Sequence, residues 1–169
     1  NVDELAQLKG KERMTHDEVL TMLFDMKQFN FKPGDDYQYN NTGYVLLSEI
    51  IARVGKKPFQ EQLKEKIFDQ LGMRHSQAIG DYNQVIPNKA YSYVVITNGI
   101  TNNPVKISTM GASGVYGSLN DLIVWAKEFT KNDTKNQQYL KLMQQETILN
   151  TNKSIAYGMG IQFENYKGV

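Results

Sequence analysis

The sequence predicts an α+β chain, mostly helical, with a few antiparallel strands. Two observations predict it. Apolar residues recur three and four apart in five separate stretches, most of them opened by a capping residue or a proline. Extended patterns are fewer: a β-branched and aromatic run at 91–97, and an apolar alternation at 157–163. About five helices and two to four strands are therefore expected. The 169 residues suit one domain, or one subdomain plus extensions.

The elements follow in order. Residues 1–14 are a polar lead with Leu5 and Leu8 as clear apolar contacts. Thr15 and Glu18 form a capping box, in which each side chain satisfies the other's backbone N–H. The helix behind it carries Val19, Leu20, Leu23 and Phe24 on one face and should end near Gln28. A Pro33-Gly34 turn follows, since Pro presets the first corner and Gly tolerates positive φ at the second. Tyr44, Leu47, Ile50, Ile51 and Val54 mark the inward face of a helix from about Thr42 to Val54. Asn41 or Thr42 is its expected cap and Gly55 its stop. Pro58 should open the next helix at its first position, with Phe59, Leu63, Ile67 and Phe68 facing in and Gly72 ending it.

Residues 74–89 read as irregular. The run at 91–97 is a strand, Asn98-Gly99 a tight turn, and 100–107 a weaker return strand that Pro104 confines to an edge. Three glycines in 111–117 mark a tight backbone path. Ser118 caps a helix with Leu122, Trp125, Ala126 and Phe129 on its apolar face. Tyr139, Leu140, Leu142 and Met143 mark another. Tyr157, Met159, Ile161 and Phe163 then alternate as a strand with one apolar face.

Composition excludes several roles. A net charge of +1, with 22% charged residues and no long run of one sign, supports neither a nucleic-acid partner nor a membrane surface. No apolar run approaches the length of a transmembrane helix. With no cysteine, thiol nucleophiles, disulfides and thiolate metal sites are ruled out. His16 and His75 lack a second ligand at metal spacing and read as surface histidines, so no metal and no cofactor is expected. Phosphate-binding glycine motifs are missing. Ser113 lacks the second flanking glycine of a nucleophile elbow, and Asp35 and Asp36 sit together in a solvated turn.

Residues 31–54 carry the candidate site. Tyr37, Tyr39 and Asn41 are spaced two apart, so in an extended segment their side chains share one side. Tyr39 and Asn41 stand where a helix begins, with its free N–H groups and positive dipole end. Locally the pair reads as a helix cap with a stacked tyrosine before it reads as a binding site.

Four segments in fixed order reverse that preference: FKPGDDYQYNNTGYVLLSEIIARVGKKPF, IFDQLGM, GASGVYGSLNDLIVWAKEF and YGMGIQFENYKGV. Together they resemble the serine β-lactamase-like, penicillin-binding-protein-like family of class C β-lactamases, DD-peptidases, esterases and D-aminopeptidases. The resemblance runs from about Thr15 to Val169. It implies the helical subdomain of the β-lactamase/transpeptidase-like fold with flanking strands, so 1–169 is expected to be a single partial domain. Tyr39-Asn40-Asn41 matches the family's Tyr-x-Asn motif. By that match Tyr39 is catalytic, assisting proton transfer at a serine nucleophile. A phenol with a pKa of about 10 needs a nearby cationic lysine to favour its ionised form. Asn41 is substrate-binding by the same match, and one carboxamide both donates and accepts.

The departures are as informative. None of Ser48, Ser76, Ser92, Ser108, Ser113, Ser118 and Ser154 has a lysine three residues on, so Ser-x-x-Lys is absent. His-x-Gly and Lys-Thr-Gly are absent too. In the family Ser-x-x-Lys precedes the segment matching Thr15, and His-x-Gly follows the one matching Tyr166-Lys167-Gly168. The chain therefore reads as the middle of a serine hydrolase that cleaves an amide, lactam or ester through an acyl-enzyme, inert alone. The alternative is a non-catalytic module that binds a peptidoglycan-like peptide or a partner protein. Expected partners are a small-molecule or peptide substrate in the intact protein, and a second copy paired through an exposed edge strand at 157–163. The resemblance also implies a periplasmic or secreted location.

Overall fold

In the computed structural model the described residues are 14–26, 28–81, 83–103, 109–131, 136–165 and 167. Thr15 opens α1, His16–Asp25, with the expected reciprocal cap. Its hydroxyl accepts from Glu18 N–H at 3.3 Å, and its own N–H donates to the Glu18 carboxylate at 2.9 Å. The helix stops short of Gln28 because Met26 already takes an extended conformation. α2, Asn41–Gly55, starts a residue early. Asn40, rather than Asn41 or Thr42, is its cap, with Oδ1 accepting from Gly43 N–H at 2.9 Å. Its stop is Lys56, left-handed at φ 52, and Gly55 stays helical.

α3 is a continuous helix in three parts: α-helical Phe59–Leu63, a π turn at Lys64–Phe68, and a last α turn, Asp69–Leu71. Pro58 is the cap before it, not its first residue. The wider π turn advances less per residue, and within it Phe68 is buried while Ile67 is half-buried. Gly72 ends the helix left-handed at φ 71, as expected. Ser118 caps α4, Leu119–Glu128, and α5 spans Gln137–Met143.

The described strands are six, more than expected, in three separate antiparallel pairs. β1 (Gln77–Ala78) pairs with β4 (Val115–Tyr116), β2 (Tyr93–Ile96) with β3 (Gly99–Asn102), and β5 (Thr147–Ile148) with β6 (Ser154–Ile155). β1 falls in a stretch read as irregular. The β2–β3 turn is Thr97-Asn98, because Gly99 already pairs with Ile96. The expected continuation of β3 through Pro104 lies outside the described residues.

The larger correction is at 157–163. The chain there folds back on itself: Tyr157 and Gln162 form one antiparallel bridge, and Gly158 N–H donates to Ile161 O at 2.8 Å. Gly160 makes the reversal at φ 85. Gly158 is wedged where a Cβ would lie 2.4 Å from Met143 O and 2.7 Å from Gln145 O. The apolar alternation thus belongs to a tight loop, and the edge strand from which dimerisation was expected is not formed.

Packing also inverts one helix face. Met14, Val19 and Val45 form a small core joined by Met22, Leu23 and Ala112. α2 therefore turns Val45 and Ser48 inward. Leu47, Ile50 and Val54 of the expected inner stripe are 52%, 54% and 79% exposed. The cause is the glycine loop. A Cβ on Gly111 would lie 2.1 Å from Tyr44 O and 2.9 Å from Ser48 Cβ, so backbone packs on the small-residue side of α2. Likewise Phe24 on α1 and Leu122 on α4 face outward. No helix of the described residues is long and apolar enough to cross a membrane.

Candidate active site

The approach to α2 is held from a distance. Asp35 N–H closes the Pro33-Gly34 turn on Lys32 O at 3.0 Å, with Gly34 at φ 86. Asn150, between β5 and β6, clamps this turn. Its backbone N–H donates to Gly34 O at 2.8 Å, and its carboxamide donates to Pro33 O at 3.1 Å and Asp35 Oδ1 at 2.9 Å. Asn30 Nδ2 then meets Gln38 Oε1 at 2.8 Å.

Beyond the clamp the spacing rule holds. Asn40 is committed to the cap, and Tyr39 and Asn41 come together: the Tyr39 hydroxyl donates to Asn41 Oδ1 at 3.4 Å, a long hydrogen bond. Tyr39 is 58% exposed. It also borders a cleft of about 450 Å³ walled by Met26, Phe29, Phe31, Thr42 and Leu46. A phenol beside a carboxamide at a helix start can relay a proton and grip an amide.

Two residues missing from the sequence reading complete the cluster. Tyr44, taken as part of an apolar face, and Tyr157, taken as a strand residue, are hydrogen-bonded hydroxyl to hydroxyl. The Tyr39 ring lies 6.2 Å from each of their rings, and Tyr37 stacks at a tilt on Tyr157 at 5.2 Å. Burial, then the hydrogen bond and proximity to Tyr44, push the Tyr157 phenol up to about 12. Tyr37 is also raised, by burial first and then by the neighbouring Tyr157 and Tyr39. Composition could flag ten tyrosines, but only the fold shows which four meet.

Ser48, Ser76 and Ser113 are used structurally. Ser48 donates to Val45 O and lies 3.1 Å from Met110 O. Ser76 donates to Asp121 at 2.7 Å, and Ser113 to Thr109 O at 3.1 Å. His16 is not a lone surface histidine. Its Nε2 lies 3.3 Å from Glu49, whose carboxyl is held below its usual range mainly by a hydrogen bond from Arg53. Asp35 and Asp36 are exposed, as expected.

The family profile described as Beta-lactamase matches residues 4–169. A D-aminopeptidase from Brucella anthropi is 27% identical over 154 residues, 90% of this chain and 29% of that protein. The octameric penicillin-binding protein homologue from Pyrococcus abyssi superposes with a TM-score of 0.71 at 29% identity, over 88% of this chain and 34% of that one. A penicillin-binding protein from Bacillus halodurans superposes with a TM-score of 0.74 at 21% identity, over 91% and 48%. The fold is that of the β-lactamase/transpeptidase-like proteins, an α+β mixture of helices and short antiparallel strands, and fewer than half of the described residues are helical rather than most of them. The chain spans under a third of the length of the curated relatives it matches.

Proposed function

We propose, of a chain that belongs to the Beta-lactamase family, that it is the Tyr-x-Asn-bearing helical portion of a serine hydrolase working through an acyl-enzyme. The observation that carries the reading is the meeting of Tyr39 and Asn41 at the start of α2, on the residues that match the family motif. In this reading a serine supplied by the rest of the protein attacks the carbonyl of an amide, lactam or ester. Tyr39, beside a lysine from the same source, takes the serine proton and returns it to the leaving group. Asn41 holds the amide of the substrate. Water then hydrolyses the acyl-enzyme. The length of the relatives supports a chain that contributes only part of this machinery. A D-amino-acid amide heads the substrates to test, in view of the D-aminopeptidase relatives.

The test uses two proteins: these 169 residues, and the longest reading frame containing them. Both meet D-alanine p-nitroanilide, nitrocefin, p-nitrophenyl acetate and a fluorescent penicillin. The longer protein should turn over at least one substrate and take the label at a serine, while the 169 residues do neither. Turnover by the 169 residues, blocked by a serine-directed acylating agent, would put the nucleophile inside this chain. A longer protein that binds a peptidoglycan peptide without labelling or turnover would favour the binding module.

A further inference from the structure

We infer that Tyr157 is a positioning residue for Tyr39, and that it acts together with Tyr44. The inference rests on the reading of Tyr39 as the proton-transfer group. It starts from a mechanical difficulty. Tyr39 lies on an extended segment, its ring is more than half exposed, and its bond to Asn41 is long at 3.4 Å. A proton-transfer group must be held near its productive geometry, and one weak hydrogen bond on an exposed ring does not do that.

The Tyr44 and Tyr157 rings supply the missing restraint. Each stands 6.2 Å from the Tyr39 ring, Tyr44 at a tilt and Tyr157 edge-on. Their hydroxyls share a hydrogen bond, so the two rings form one brace. One end of the brace belongs to the first turns of α2. The other is anchored in the loop 157–163, held on several sides. Tyr157 N–H donates to Ile155 O at 2.7 Å, Tyr157 O accepts from Thr147 at 3.0 Å, and Gly158 is wedged against Met143 O and Gln145 O. Tyr37 packs on the outer side of the same ring. The anchored residue is therefore Tyr157, and the residue it steadies is Tyr39. The Tyr157 phenol stays protonated through neutral pH, so it does not compete as a base.

The experiment uses the protein with its full reading frame and two readouts. Tyr157→Phe keeps the ring and removes the hydroxyl; Tyr157→Ala removes both. Loss of one hydrogen bond that positions the reacting group should cut kcat about tenfold in Tyr157→Phe, with KM nearly unchanged. Tyr44→Phe should match it, and the double variant should be no worse than either, because all three lose the same bond. The second readout needs no activity. The 19F signal of 3-fluorotyrosine at Tyr39, assigned with Tyr39→Phe, should shift and broaden in Tyr157→Phe. Should the wild type prove inactive, the hydrolase reading fails, and the 19F signal still decides the brace. An unmoved Tyr39 signal overturns the positioning role. So does a kcat loss confined to Tyr157→Ala, which would make the ring a structural filler only.

Discussion

Three glycines allow the cost of close backbone packing to be separated from the cost of an unusual φ. Gly72 is left-handed at φ 71 with nothing within 4 Å of a would-be Cβ. Gly158 carries no left-handed φ, but its Cβ would meet two backbone carbonyls at 2.4 and 2.7 Å. Gly111 has both problems: φ 92, and a Cβ 2.1 Å from Tyr44 O. Gly72→Ala should therefore cost about 1 kcal/mol, the ordinary penalty for a non-glycine in the left-handed region. Gly158→Ala should cost about 2 kcal/mol, the middle of the range for overpacking, because the obstacles are backbone carbonyls, which cannot retreat by an ångström without moving the chain after α5. Gly111→Ala should cost roughly the sum, about 3 kcal/mol, a large fraction of the stability of a typical domain. The assay is equilibrium urea unfolding, read as the shift in midpoint at constant slope. Gly111→Ala should also perturb Tyr39, because relief of the clash pushes the loop away from the first turn of α2. If Gly111→Ala and Gly72→Ala cost the same, the close approach of the loop to α2 is wrong, and with it the account of why Val45 and Ser48 face inward.

Three further outcomes are expected. Asn150→Ala should destabilise by about 1 kcal/mol, since both lost hydrogen bonds are exposed and the backbone bond to Gly34 remains; in the full protein it should lower kcat more than its effect on the melting temperature suggests. Asp121 is buried and accepts from His75 N–H at 2.8 Å and Ser76 Oγ at 2.7 Å, so Asp121→Ala should cost about 2 kcal/mol by calorimetry, with Asp121→Asn milder. The phenol of Tyr157 is raised in the folded state to about 12 from the usual 10.0. Its contribution is thus complete below about pH 10 and lost as pH rises towards 12. Urea midpoints between pH 9 and 12 should fall less steeply in Tyr157→Phe.

What was legible in the sequence was local. The Thr15–Glu18 cap, the Ser118 cap and the Gly72 stop depend on residues within a turn of each other, and they fold as read. The meeting of Tyr39 and Asn41 is equally local, because a period of two needs no partner to set it. The misreadings share one physical source. Apolar periodicity shows that a helix has two unlike faces but not which face its neighbours take. On α2 that choice fell to Gly111, more than fifty residues downstream, whose bare backbone packs against Tyr44 O and Ser48 Cβ. Alternation at 157–163 failed in the same way, since two glycines beside alternating apolar residues suit a tight reversal as well as a strand. The Tyr44–Tyr157 hydrogen bond joins residues 113 apart, and the Asn150 clamp reaches across a similar separation. Both hold the same short segment, one at the turn before Tyr39 and one at the ring itself. The motif thus marks where the candidate chemistry stands, and the residues that steady it come from the far end of the chain.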